Sequence, residues 1–303
     1  MFKLFYKIKY FFGTIYRGLI GRSHNAFDQA PEINKDVENF VIGKSEEGRE
    51  IRVYKIGSQS MRSLDSSDSA LPAGVARDKL KKILFVAGIH GNEVGTVKLA
   101  GNIINYFFNV TPSFSSDESD LKAGVTKDHT LYVIPCLNPD GYERALKNPD
   151  YAHRGRVGRN NSRGVDLNRN FLTQNFQKNS EWGFGRNYGD EKIAAYCGEF
   201  GGSERETQAL IKFIKQENIQ NLIMLHNAGK DVVYNSGDQV AKKWAEIYNK
   251  FTKFKIRTDL NYSGGVAEWA KENNIHYLTV EGSSRWGSDW RKQKSAVEKI
   301  INS

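Results

Sequence analysis

Short apolar runs alternate with amphipathic stretches through most of the chain. Residues 83–87, Ile-Leu-Phe-Val-Ala, form a continuous apolar run that ends at Gly88, the pattern of a strand buried on both faces. Apolar positions then recur at helical spacing over residues 93–108. The same alternation predicts strands over 131–136, 221–226 and 277–281, and helices over 239–251 and 289–301. Another helix is expected to begin at an N-cap, Ser203. There Ser203 and Glu206 have the capping-box spacing, and Leu210, Phe213 and Ile214 supply the buried stripe. Upstream, the β-rich segments 40–42 and 50–56 flank Ser45-Glu46-Glu47-Gly48 and predict a hairpin. Strands alternating with helices imply an α/β fold: a mixed, largely parallel twisted sheet with helices on both faces.

Sheets of this kind bind ligands at the carboxyl ends of their strands. His90, His226 and Glu281 all fall at or just after predicted strand ends. Residues 58–68 and 113–128 are rich in Ser and Asp and read as surface loops without chemistry.

Composition adds a polarity to this picture. The 303 residues hold 44 Lys and Arg against 35 Asp and Glu, a net charge of +9. Lys3, Lys7, Lys9, Arg17 and Arg22 all precede the first acidic residue, Asp28, so five of those charges sit in an N-terminal arm. Bulky apolar groups such as Phe2, Phe5, Phe11, Phe12 and Tyr16 lie between them, a density that phosphate binding does not require. The arm therefore predicts either contact with a membrane surface through residues 1–22 or an amphipathic helix docked on the domain, with equal weight. As a secretion signal it is poor: the apolar stretch is short and is interrupted by Gly13 and Thr14. No run of eighteen uncharged apolar residues occurs.

The chain divides into this arm and linker, 1–37, and a globular body, 38–303, that holds the candidate chemistry. Its two cysteines, Cys136 and Cys197, cannot build a disulfide framework and read as reduced thiols, which points to the cytoplasm, with the arm as a route to membrane association and secretion left open.

The candidate chemistry begins with Gly88-Ile89-His90-Gly91-Asn92-Glu93, where a turn after a strand can aim an imidazole and a carboxylate at one metal ion. A lone His-x-x-Glu is common by chance. Asn138-Pro139-Asp140-Gly141 adds a generic turn tetrapeptide. More distinctive is the segment from Arg159 through Asn161 to Gly164-Val165-Asp166-Leu167-Asn168-Arg169-Asn170-Phe171, which sets an Asn beside an Arg, with a second Arg ten residues earlier.

With these motifs in order, and with Tyr196-Cys197-Gly198, Ser203-Glu204-x-Glu206-Thr207, His226, Ser263-Gly264-Gly265 and Thr279-Val280-Glu281 following, the chain resembles the zinc metallocarboxypeptidases, the carboxypeptidase A-like peptidases. The resemblance covers roughly residues 40–285. It implies one Zn2+ per chain on His90, Glu93 and His226, Glu281 as general base, and Arg159 stabilising the oxyanion, with Arg154, Arg156 and Arg163 as competing positions. Asn168 and Arg169 would clamp the substrate's terminal carboxylate.

Three positions depart from the digestive members. Leu260 stands where those enzymes carry a substrate-capping tyrosine, and Tyr262, two residues on, is the candidate replacement. Ala267 occupies the position that selects the terminal side chain, and Asn92 replaces an arginine between the ligands. His-Gly-Asn-Glu is instead typical of small bacterial relatives, some of which remove meso-diaminopimelate from cell-wall peptides.

The implied substrate is a peptide or an acyl amino acid with a free carboxylate. Leu225-His226-Asn227 resembles the aspartoacylase and succinylglutamate desuccinylase branch, so an N-acyl amino acid amidohydrolase is the alternative hydrolase. A binding module that has lost catalysis is disfavoured by the intact set of His90, Glu93, His226 and Glu281. No nucleic-acid-binding motif accompanies the basic charge, and no nucleic-acid partner is expected. Oligomeric state is not legible.

Overall fold

A computed structural model describes residues 30–57, 81–110, 129–148, 157–182, 193–259 and 262–303. The basic arm up to residue 29, both Ser- and Asp-rich stretches, Arg154, Arg156 and Leu260 lie outside the described residues.

Among the described residues there are ten strands: β1 Glu38–Lys44, β2 Glu50–Gly57, β3 Lys81–Val86, β4 His129–Ile134, β5 Asn179–Trp182, β6 Ile193–Tyr196, β7 Asn221–Asn227, β8 Asp231–Tyr234, β9 Lys255–Thr258 and β10 His276–Gly282. Six α-helices of the described residues join them: α1 Val94–Val110, α2 Pro139–Lys147, α3 Arg205–Gln216, α4 Gln239–Thr252, α5 Val266–Glu272 and α6 Trp290–Ile301. Eight strands form one sheet in the order β1-β2-β4-β3-β7-β10-β8-β9, and β5 and β6 pair separately. Its central four strands, β4-β3-β7-β10, are parallel, β2 and β8 pair antiparallel with the outer two, and β9 runs parallel to β8. The expected α/β sheet is therefore present, and it is mixed.

The central strands carry no polar face because both of their faces are covered. Along β3, Ile83 and Phe85 point to one layer, where Leu99, Ile103 and Phe107 of α1 pack with Trp244 and Tyr248 of α4 and Val297 and Ile300 of α6. Leu84 and Val86 point to the other, with Leu210, Phe213 and Ile214 of α3 and Trp269 of α5. A period of two thus splits one apolar run between two cores.

Helix boundaries depart from the sequence reading in two places. The expected capping box at Ser203 does not form: α3 is entered through Glu204, and the Ser203 hydroxyl instead donates to Glu204 Oε1 at 2.7 Å while accepting from Asn170 Nδ2 at 2.9 Å. A nearby side chain competes for the hydroxyl, a choice that local spacing cannot reveal. Asn138-Pro139-Asp140-Gly141 is not a free-standing turn but the start of α2. Asn138 caps it by accepting from Gly141 N at 2.9 Å, and Pro139 occupies the first helical position.

The end of the linker already belongs to the body. Asn34 N donates to Asn105 Oδ1 at 3.0 Å, Pro31 lies against Gly101 of α1, and Val37 is buried in the core. Among the described residues, no helix is long and apolar enough to cross a membrane.

Candidate metal centre and active site

The carboxyl ends of β3, β7 and β10 meet on one rim of the sheet. His90 follows β3, Glu93 immediately precedes α1, and His226 lies near the end of β7. Each ligand candidate is only 3% exposed, and their donor atoms lie within 4.8 Å of one another. His90 Nδ1 stands 3.1 Å from Glu93 Oε1, and His226 Nδ1 stands 3.1 Å from Glu93 Oε2. Burial works to raise the Glu93 carboxyl, but the two imidazoles outweigh it and hold the group well below the usual carboxylate range. Two imidazoles and one carboxylate, buried and converging, are the donor set of a catalytic zinc site that keeps a further position open. The residues fit the ion that the resemblance implies.

Local backbone fixes this geometry. Glu93 N donates to His90 O at 3.0 Å, closing the turn that carries both side chains. Thr96 Oγ1 donates to Glu93 O at 2.7 Å and accepts from Gly88 N at 3.1 Å. Asn227 N donates to Glu93 Oε2 at 3.0 Å, tying the end of β7 to the start of α1. At Gly91 an added Cβ would stand 2.1 Å from Tyr142 N, so only glycine lets this turn sit on α2.

Asp166 orders the rest. Its Oδ1 lies 3.1 Å from His90 Nε2, and its Oδ2 accepts from Arg159 Nε at 3.0 Å and pairs with the terminal nitrogen Nη2 at 2.9 Å. Burial pushes Asp166 up, yet Arg159, with His90 behind it, keeps it well below the usual range. A carboxylate on the far nitrogen of a ligating histidine fixes its tautomer and orientation. Asp166 stood in the motif without a role, because the contact spans 76 residues.

With two of its nitrogens held, Arg159 turns Nη1 toward the ligands, 3.3 Å from His90 Nδ1 and 3.9 Å from Glu93 Oε1. Arg163, one of its competitors, instead faces Glu46 and Glu204, with Nε 3.6 Å from Glu204 Oε2. Glu46, Glu204 and Glu206 also gather within 4.8 Å, but Asn161, Arg163 and Arg205 answer them.

A pocket of about 190 Å³ opens on this group, lined by the three ligand candidates, Arg159, Asn168, Arg169, Tyr262, Ala267, Tyr277, Thr279, Glu281 and Arg285, among others. Glu281 sits on β10, where burial, opposed by His226 and reinforced by Glu93 and Asp231, pushes its carboxyl up to about 7. Arg169 is 3% exposed and stacks its guanidinium 4.0 Å from the centroid of the Tyr262 ring. Asn168 Oδ1 accepts from Val266 N at 3.3 Å, and Arg169 donates to Asn168 O at 2.7 Å. All eight residues singled out in the sequence therefore line one pocket. Sequence reasoning passed over Asp166, Asn227 and Arg285, whose neighbours are distant along the chain.

A family model described as zinc carboxypeptidase matches residues 28–286. The chain belongs to the zinc carboxypeptidase family. Among curated relatives, carboxypeptidase D of Anas platyrhynchos is 33% identical over 144 residues, 47% of this chain and 10% of the relative. The catalytic chain of carboxypeptidase N of Rattus norvegicus is 29% identical over 222 residues, 73% of this chain and 43% of the relative. The chain thus spans less than half the length of these curated relatives. Among solved structures, a murein-tripeptide amidase from Escherichia coli O157 superposes with a TM-score of 0.60 at 20% identity, covering 90% of this chain and 93% of that one. Bovine thrombin-activatable fibrinolysis inhibitor gives 0.58 at 19% identity, over 88% and 87%. Both likenesses establish the shared fold.

Proposed function

We propose that this member of the family is a one-zinc metallocarboxypeptidase that hydrolyses the amide bond next to a free carboxylate, with peptides of the bacterial cell-wall type as the favoured substrates. The observation that carries the reading is the convergence of a His-His-Glu donor set, the Glu281 carboxyl and Asn168 with the buried Arg169 on one pocket. His90, Glu93 and His226 would hold the zinc ion, which when bound supplies a Lewis acid for the scissile carbonyl and lowers the pKa of water.

The chain's own groups do the rest. Asn168 and Arg169 bind the terminal carboxylate, the planar guanidinium matching its two oxygens, and Tyr262 stacked on Arg169 closes that end. Glu281, on the same pocket as the ligand candidates, accepts a proton from the attacking water and returns it to the leaving amine. Arg159, oriented by Asp166, donates from Nη1 to the oxygen that gains charge as the carbonyl carbon becomes tetrahedral. Ala267 leaves the side-chain position of the pocket small and uncharged.

The likeness in fold to a murein-tripeptide amidase supports cell-wall peptides, and His90-Gly91-Asn92-Glu93 agrees with it. The test is release of C-terminal residues from a panel holding ordinary peptides, a γ-D-glutamyl-diaminopimelate peptide and N-acyl amino acids. Wild type is compared with Glu281→Gln at matched zinc content. Preferred cleavage of the diaminopimelate peptide supports the reading, whereas preference for acyl amino acids would move the protein to the amidohydrolase branch.

A further inference from the structure

Arg285 is a pocket cation whose charge no carboxylate among the described residues answers. Arg159 is paired with Asp166, and Arg169 lies in the carboxylate clamp. Arg285 also lines the pocket, yet among the described residues its buried Nη1 has no hydrogen-bond partner and no carboxylate pairs with it. Leaving such a donor unpaired costs stability, so an unpaired guanidinium facing a substrate pocket points to an anion that arrives with the substrate.

The residue is held in place. Gly95 N donates to Arg285 O at 2.6 Å, joining the loop after β10 to the first turn of α1. The next residue, Trp286, packs against buried Val94 and Ala145. An added Cβ at Gly95 would stand 2.3 Å from Gly287 O and 2.8 Å from Ser284 O, so loop and helix touch backbone to backbone. The backbone of Arg285 is therefore fixed beside the first turn of α1, which begins directly after the ligand candidate Glu93, and its side chain lines the pocket. The carboxylate clamp comes from elsewhere, with Asn168 bonded to Val266 and Arg169 stacked on Tyr262.

We infer that Arg285 is a specificity-determining residue that binds a second carboxylate of the substrate, carried on the acyl side of the scissile bond. This rests on the carboxypeptidase reading above and deepens it: the preferred substrate has an acidic residue just before the one released. The acidic group has two chemical sources, the side chain of an α-linked Glu or Asp, or the α-carboxylate left free by a γ-linked glutamyl residue.

The test uses the full-length zinc enzyme and blocked dipeptides that share one C-terminal residue and differ before it: α-Glu, α-Gln, γ-Glu and its α-amide. The quantity read is the ratio of kcat/KM for each acid over its amide. Wild type should favour at least one acid by tenfold or more, as a charge-assisted hydrogen bond implies. The arm that shows the preference identifies the source.

Arg285→Met, which keeps an apolar stem, should bring the ratio close to one, and Arg285→Lys should restore part of it. A wild-type ratio near one, or a ratio unchanged in Arg285→Met, overturns the inference. Should no dipeptide be cleaved, the carboxypeptidase reading fails on its own. The acid-to-amide ratio of binding affinities, measured by calorimetry on the zinc-loaded Glu281→Gln protein and its Arg285→Met derivative, then decides the role of Arg285 separately.

Discussion

Glu281 and His226 are register partners across the parallel pairing of β10 and β7. Side chains of paired parallel positions lie on the same face of the sheet, so the candidate base and a candidate ligand are set side by side by strand register alone. A one-residue slip would send Glu281 to the opposite face. Replacing the carboxylate while keeping its shape, Glu281→Gln, should therefore cost at least about a hundredfold in kcat, the range expected for a general base. Bound zinc, read by metal analysis, should stay at wild-type content.

Asp166 acts one step further out, holding His90 and Arg159 at once. Asp166→Asn should weaken zinc binding by about tenfold to a hundredfold, measured by competition with a chelator of known affinity. It should also lower kcat at saturating zinc, because Arg159 loses its anchor. Unchanged zinc affinity would remove Asp166 from its supporting role.

Glycine at 264 sets the position of the clamp. Its φ is +62°, and an added Cβ would stand 2.0 Å from the carbonyl oxygen of Arg169, whose chain is held there as Phe171 N donates to Gly264 O at 2.9 Å. Gly264→Ala should destabilise the protein by about 1–3 kcal/mol through strained backbone and raise KM for substrates with a free carboxylate. Chemical denaturation and steady-state kinetics read the two effects.

The site and the fold were legible to different depths. Ile83 to Ala87 is apolar enough to read directly as a doubly covered strand, and His90, His226 and Glu281 fall at or just after the ends of such strands. Roles came from ordered motifs, because a His-x-x-Glu carries little information by itself. What stayed hidden depends on distant partners: Asp166 reaches His90 across 76 residues, and Ser203 gives its hydroxyl to Glu204 instead of capping α3. Arg285 carried no motif, and only the tertiary structure shows what, among the described residues, fails to pair with it.

Stability should respond to pH through Glu206, far from the zinc ligands in sequence. Burial, opposed by hydrogen bonds from Asn161 and backbone amides, pushes this carboxyl up from 4.5 to about 6. The folded protein then holds its proton more tightly than the unfolded chain does. The resulting stabilisation is complete below pH 4.5 and is lost as pH rises through about 6. Glu206→Gln removes this dependence, so the variant should gain on wild type by about 2 kcal/mol between acid and neutral pH. Parallel denaturation curves across that window would show that Glu206 titrates normally.

The central claim is a zinc-dependent hydrolase that requires the free carboxylate of its substrate. Cleavage of one peptide pair, identical except for a C-terminal acid in one and a C-terminal amide in the other, tests it most directly, with zinc removed by chelation and then restored. The account predicts hydrolysis of the acid form at least about a hundredfold faster than the amide, because the Asn168 and Arg169 clamp loses a charged partner. It further predicts loss of activity on chelation and recovery at one zinc per chain. Equal cleavage of acid and amide, or full activity without zinc, would contradict it.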